Sequence, residues 1–328
     1  MRAWQVQGAG EPIDVLHEVA LDPPQPGPGQ VRVRVTAAGI GLPDVLMCRG
    51  VYRLTPPLPF TPGQELAGVV IANGEGADIP VGTRVMTTSG FITGHGSFAE
   101  ETLADAARTF PIPDTLDDAS AAGFWIPHMT GWMGLVDRGQ LAKGDTLAVL
   151  GAAGGSGIAA VQLGHALGAT VIAVVSDEAK AEFCRGLGAD ATVVHRDGTL
   201  AAALREVTEG RGVDLIYDPV GGDMAEDAFK ALARDGRLLA IGFASGRWPK
   251  IHAHEFVVTN TSLVGVIAGG RSREHLDDIH RQLSDLLTAG TLRNAVTSRV
   301  PFDELPSGVQ RVADRAVIGK LVMDAPTP

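Results

Sequence analysis

Residues 147–157 read Leu-Ala-Val-Leu-Gly-Ala-Ala-Gly-Gly-Ser-Gly. An apolar run ends in a glycine cluster, and a helical pattern continues from Ile158 to Leu167. Strand, glycine turn and helix in succession place a pyrophosphate on a helix N-terminus, where the first backbone N–H groups have no intrahelical partner. In that geometry Gly154 lets the backbone approach the phosphates and Gly157 lets helix and strand pack closely. Ala152 stands where the usual fingerprint has its first glycine, and Ala153, Gly155 and Ser156 complete the turn. Glycine-rich turns are common, so the motif gains weight only from the strand that comes next in the chain.

That strand runs from Ala169 to Val175. In NAD enzymes an Asp or Glu at its end takes the ribose 2′-hydroxyl, about 20 residues beyond the glycines. Here that place is Ser176, with Lys180 four residues on. A carboxylate would repel a 2′-phosphate, whereas a serine and a lysine accept it, so NADPH is expected rather than NADH. Asp177 either points away or takes the hydroxyl of NADH. Lys180 either binds the phosphate or lies on the solvated face of a helix.

Composition bounds the rest. At 328 residues the chain is long enough for two domains. It is 45% hydrophobic and 20% charged, the balance of a soluble globular protein. A net charge of −11 argues against a nucleic-acid partner and a polybasic membrane anchor. No apolar run approaches the ~18 residues of a membrane span, and the first residues, Met-Arg-Ala-Trp-Gln-Val-Gln-Gly, lack a signal-peptide core. Two cysteines, Cys48 and Cys184, make no disulfide framework, so the cytoplasm is the expected compartment.

The first third is β-rich. Val31-Arg-Val-Arg-Val35 alternates as a half-buried strand should, and Leu66–Ile71 and Arg84–Thr88 are further short strands. From about Ala119 the pattern turns to helix and then to βαβ alternation. Strands are predicted at 147–150, 170–175, 192–194, 213–217, 237–241 and 262–267. Helices are predicted at 156–167, 178–187, 199–208 and 223–233, which makes a doubly wound parallel sheet. A further helix near 273–289 carries Leu276, Ile279, Leu283 and Leu286 on one face. The tail from Arg299 to Met323 reads as short strands that complete the first domain. Gly221, Phe243 and Val266 come after later strands, where a doubly wound sheet binds its ligand; Val220 and Gly242 flank them.

Five stretches carry a resemblance: Pro62-Gly-Gln-Glu-Leu-Ala-Gly68, Ala152-Ala-Gly-Gly-Ser-Gly157, Asp218-Pro-Val-Gly-Gly222, Gly236-Arg-Leu-Leu-Ala-Ile-Gly242 and Gly319-Lys-Leu-Val322. Over nearly its whole length the chain resembles the zinc-free quinone oxidoreductases, the zeta-crystallin type of medium-chain dehydrogenase/reductase. The resemblance implies an α/β fold: a Rossmann doubly wound parallel sheet inserted into a GroES-like β-rich catalytic domain. The implied division is 1–123 (catalytic, first part), 124–268 (NADPH-binding) and 269–328 (catalytic, second part), with a cleft for nicotinamide and substrate. Zinc relatives carry a Cys three residues before the position of Asp44 and a His between Gly63 and Glu65. Here those places are Gly41 and Gln64, and two cysteines cannot build a four-cysteine structural site. No metal is expected.

Loss of the Lewis acid favours acceptors whose π-system already spreads the incoming charge. The expected reaction is hydride transfer from NADPH to a quinone or another α,β-unsaturated carbonyl. Two alternatives stand beside it: an enoyl thioester reductase of the same fold, and a nucleotide-binding protein with little catalysis. By the resemblance, Gly41 and Asp44 fall in an active-site motif that often reads Asn-Phe-x-Asp, so Gly41 offers backbone where relatives have an asparagine. Tyr52 matches a tyrosine at the active-site mouth, and either hydrogen-bonds the acceptor or is a packing residue with a solvated tip. Thr130 matches a threonine facing the nicotinamide. Ser156 replaces a valine and could cap N–H groups or touch the pyrophosphate. His195 covers the adenosine phosphate or is a surface histidine. Lys320, in the closing motif, joins the cofactor contacts. Glu65 is expected to hold loops by hydrogen bonds, and Cys48 to be a small buried hydrophobe. The segment Ser262–Ile267 would be an exposed sheet edge, which in relatives pairs with its two-fold mate, so a homodimer is expected.

Overall fold

The computed structural model describes residues 1–195 and 198–326. Two compact units form. One contains Met1–Ile126, Ser272–His280 and the segment from Asn294; the other contains Pro127–Arg271 and Arg281–Arg293. Among the described residues the strands, in chain order, are β1 (Arg2–Val6), β2 (Leu16–Ala20), β3 (Gln30–Ile40), β4 (Glu65–Asn73), β5 (Arg84–Ser89), β6 (Glu101–Pro111), β7 (Thr146–Leu150), β8 (Thr170–Val175), β9 (Ala191–Val194), β10 (Val213–Asp218), β11 (Leu232–Ala240), β12 (Ser262–Gly265), β13 (Val296–Val300) and β14 (Lys320–Asp324).

In the first unit β3 organises the sheet. Val31, Val33 and Val35 turn into the core while Arg32 and Arg34 face outward, as the alternation predicts. The strand is long enough to serve several partners: its first half pairs with β6, most of it with β4, and Ala37–Ile40 with β14. Because β4, β5 and β6 also pair in series, the four strands close on themselves as a small barrel, with β14 and β13 extending it. Closure removes free edges among those four strands.

The second unit holds a parallel sheet of order β12-β11-β10-β7-β8-β9. The chain moves outward from β7 through β8 to β9, then returns to β10 on the other side of β7. That reversal between β7 and β10 is the topological switch point of a dinucleotide fold. Every residue of β7 is buried, which is why the strand reads as a continuous apolar run rather than an alternation.

Two expectations need correction. The helix expected over 223–233 spans Gly222–Phe229, and β11 begins at Leu232, five residues before the expected strand. The cause is an irregular register: Leu232 pairs with Val213, and Arg237 with Leu215, with Asp235 at φ 65° between them. The tail is not only strands. Leu305–Ala313 is a helix with Pro306 in its first turn, and Leu305 and Val309 are buried one turn apart.

Candidate active site

In the second unit the chain leaves β7 through Gly151, which takes a left-handed φ of 59°. The tight turn is therefore made one residue before Ala152, which explains how alanine is tolerated there. Gly154 caps the Gly155–Ala166 helix with extended backbone, and no side chain caps its N–H groups. A Cβ at Gly157 would lie 2.5 Å from the Gly151 carbonyl oxygen and 2.7 Å from the Ala152 Cα, so only glycine allows this approach of helix to turn. Within 4 Å a Cβ at Gly154 would meet only the Gly151 oxygen, at 3.4 Å. The turn is thus tight where helix meets strand and open where a phosphate would come. The Ser156 hydroxyl shares a 2.9 Å hydrogen bond with the Tyr217 hydroxyl. Tyr217 is fully buried, and burial raises its pKa above the ordinary phenol value.

Ser176, Asp177 and Lys180 form one network at the end of β8. Asp177 Oδ1 accepts from the Lys180 N–H at 3.0 Å and so caps the Glu178–Gly186 helix. Its Oδ2 accepts from the Ser176 hydroxyl at 2.9 Å and lies 3.2 Å from Lys180 Nζ. Lys180 Nζ also donates to Ser176 Oγ at 2.8 Å. These partners hold the Asp177 carboxyl below its ordinary pKa, the capping bond first. Its role as a cap was legible in the sequence: an aspartate directly precedes the helical run.

Apart from Thr130, the other residues singled out in this unit lie at or after the C-terminal ends of strands of the same sheet. His195 comes directly after β9, and its N–H donates to the Val175 carbonyl at 2.7 Å. Val220 and Gly221 lie beyond β10; Gly242 and Phe243 beyond β11; Val266 directly after β12, its N–H donating to Ala240. Thr130 is half-buried on the Trp125–Trp132 helix. Sequence reasoning assigned no role to Asp218, the buried last residue of β10. Its Oδ1 accepts from the N–H groups of Val220 and Gly221 at 2.9 and 2.7 Å. Its Oδ2 has no hydrogen-bond partner among the described residues. Burial pushes its pKa up to about 6 against those two bonds.

In the first unit three buried ionisable side chains meet. Asp44, in the first turn of the Leu42–Cys48 helix, accepts from the Gly41 N–H at 2.8 Å and the Gly63 N–H at 3.2 Å. Lys320, at the start of β14, forms an ion pair with Glu65, at the start of β4. Glu65 Oε2 also accepts from the Ile126 N–H at 3.1 Å, in the first turn of the Trp125–Trp132 helix. Desolvation pushes the Asp44 pKa up to about 7; the two backbone bonds and Lys320 oppose it, and Glu65 adds to it. A Cβ at Gly41 would sit 3.8 Å from Asp44 Oδ2 and 3.9 Å from Lys320 Nζ. Gly41, Asp44 and Lys320 are thus brought together here, with Lys320 paired to Glu65. Tyr52 packs against the barrel core and is half-exposed. Cys48 is fully buried, with its thiol pKa pushed up to about 12, as a packing residue should be.

Two family models match the chain: the alcohol dehydrogenase GroES-like domain over residues 27–114 and the zinc-binding dehydrogenase over residues 155–285. A quinone oxidoreductase-like protein 2 homolog of Nematostella vectensis is 31% identical over 98% of this chain and 88% of its own. The chain belongs to the zinc-free quinone oxidoreductase branch of the medium-chain dehydrogenases/reductases. A 2-haloacrylate reductase of a Burkholderia species is 33% identical over 91% of each chain. The solved structure of a mycobacterial protein complexed with NADPH superposes with a TM-score of 0.92 at 29% identity, covering 99% of this chain and 100% of that one. The zinc implied by the name of one family model does not fit this member. Its two zinc-ligand positions are Gly41 and Gln64, and among the described residues no three His, Cys, Asp or Glu side chains group to hold a metal ion. No helix among the described residues is long and apolar enough to cross a membrane.

Proposed function

We propose that this chain is an NADPH-dependent, zinc-independent oxidoreductase that reduces a quinone or another α,β-unsaturated carbonyl. The observation that carries the reading is the glycine turn at the β7/β10 switch point, with Ser176 and Lys180 at the end of the neighbouring strand. The turn fits a dinucleotide: Gly157 keeps the helix start against the turn, and no side chain claims the first-turn N–H groups. When bound, NADPH supplies a hydride. The first-turn N–H groups of the helix would hold its pyrophosphate, with Ala153, Gly154 and Gly155 leaving room for it. Ser176 and Lys180 would take the 2′-phosphate, one as hydroxyl donor and the other as cation. Asp177, tied to its own helix by the cap and to Lys180 by the ion pair, is occupied and does not compete for the ribose. Thr130, His195, Val220, Gly221, Gly242, Phe243 and Val266 are assigned to the remaining nucleotide surface, and Lys320 to the cofactor-binding set through its placement beside Gly41 and Asp44. Residues 124–268 are assigned as the nucleotide-binding domain.

The acceptor class is set by the donors the chain lacks. With no thiolate or imidazole at Gly41 and Gln64, the zinc site of the relatives is not built among the described residues, so a conjugated acceptor is the substrate that needs least help. Tyr52 is assigned to orient the acceptor oxygen. Relatives named for a quinone and for a haloacrylate, both conjugated acceptors, support this class. The β12 edge supports a homodimer: Leu263 on it and Ile267 just beyond are 47% and 75% exposed, and β12 pairs only with β11 among the described residues. The test is NADPH consumption against a 1,4-naphthoquinone, an ortho-quinone, an enone and an enoyl thioester. Turnover with a quinone or the enone supports the reading. Turnover with the thioester alone replaces it by an acyl-thioester reductase, and tight NADPH binding without turnover by a nucleotide-binding role.

A further inference from the structure

The one hydrogen bond between Ser156 and Tyr217 has a direction that the surroundings decide. Tyr217 is the fifth residue of β10, pairs with Val149 of β7, and is fully buried. Its ring reaches under the glycine-turn helix because the Met133–Arg138 segment offers Gly134 there; a Cβ at Gly134 would lie 3.0 Å from the ring's Cε2. The phenol has one hydrogen-bond partner among the described residues, Ser156 Oγ. If serine were the donor, the phenolic O–H would be a buried donor with no acceptor among the described residues, which is destabilising. If tyrosine is the donor, the buried phenolic O–H is satisfied and only the serine O–H is left to find an acceptor. The phenolic O–H donates a hydrogen bond to Ser156 Oγ, and the serine's own O–H must turn elsewhere. Ser156 is half-exposed in the first turn of the helix, so elsewhere is the open side of that turn.

We infer that Tyr217 is a positioning residue for the nucleotide: it fixes Ser156 as acceptor on the buried side and so presents the serine O–H to the bound dinucleotide. The pair converts a buried tyrosine, which touches no ligand, into a second donor beside the free backbone N–H groups. This rests on the NADPH reading of the glycine turn. It also explains a hydroxyl at Ser156, where an apolar residue would leave the Tyr217 phenol without a partner.

The experiment is a cycle on the full-length protein, with NADPH affinity read by fluorescence titration and melting temperature read alongside. Ser156→Ala is expected to weaken NADPH binding about five- to ten-fold, the size of one hydrogen bond to a polar or charged group. Tyr217→Phe keeps the ring and is expected to weaken binding in the same direction by about three-fold. The double variant is expected to bind no more weakly than Ser156→Ala, because the tyrosine acts only through the serine. Additive losses in the double variant would overturn the inference, as would lower melting temperatures with unchanged affinities. A wild type that binds no NADPH would instead overturn the nucleotide reading itself, a separate outcome read before any variant is made.

Discussion

The glycine turn of the second unit and the charged cluster of the first are built in opposite ways. At the β7 turn the chain makes an anion site by removing side chains: Gly154 and Gly157 bring backbone N–H groups into the open and keep the helix close. Beside Gly41 it does the reverse and concentrates side chains, burying Asp44, Glu65 and Lys320 to 2%, 4% and 6% exposure. A backbone site is preorganised by the fold and carries no desolvated charge of its own. A buried ionic cluster holds its charges only while each is paired. The first should therefore fail in binding when a side chain is added, and the second in stability when one is taken away.

The largest effect is expected in the cluster. Lys320→Met leaves Glu65 buried without its cation, and the loss should be about 3–5 kcal/mol, read as a lowered urea midpoint. Adding Glu65→Gln to it should recover most of that loss, since no unpaired charge then remains. If the single and double variants are equally unstable, the pairing account of the cluster is wrong. At the turn, Gly157→Val should cost about 2–3 kcal/mol from overpacking against Gly151 and Ala152. It should also abolish NADPH binding in the protein that remains folded, a combination that no change in the cluster should produce.

Lys180→Ala sharpens the contrast, because it removes a side chain from the region that otherwise relies on backbone. NADPH affinity should fall about ten-fold, the equivalent of ~1.4 kcal/mol, with NADH affinity unchanged; equal losses for both would place Lys180 away from the 2′-phosphate. The smallest expected effect is a pH dependence. The Asp44 pKa is raised in the folded protein, so the fold holds that proton more tightly than the unfolded chain does. Its contribution to stability is present below about pH 4 and is lost as pH rises towards about 7. Asp218, raised to about 6, acts in the same direction. The stability of Asp44→Asn relative to wild type should therefore improve between pH 5 and pH 8 by at least about 1 kcal/mol. A flat difference would mean that Asp44 is ionised throughout.

These two regions were not equally legible. The turn and its sheet could be read from residues 147–180 because the signals are local: an apolar run for a strand buried on both faces, then glycines, then a helical period. The cluster could not, because Asp44, Glu65 and Lys320 are far apart in the chain. They meet because β3 lies between β4 and β14, with Gly39 paired to Glu65 and Ile40 to Leu321. Periodicity carries no information about such pairings. Asp177 shows a third case. Its dual role as helix cap and partner of Lys180 needed geometry to decide, although the residue type announced a cap. Tyr217 was hidden because a tyrosine in a buried strand looks like core until its hydroxyl is traced to Ser156.

The most direct test of the central claim is kcat/KM for NADPH and for NADH with a 1,4-naphthoquinone as acceptor, measured after exhaustive treatment with a chelator. Full turnover without metal and at least a ten-fold preference for NADPH are expected. Equal use of NADH, or activity that disappears on chelation and returns with zinc, would contradict the claim.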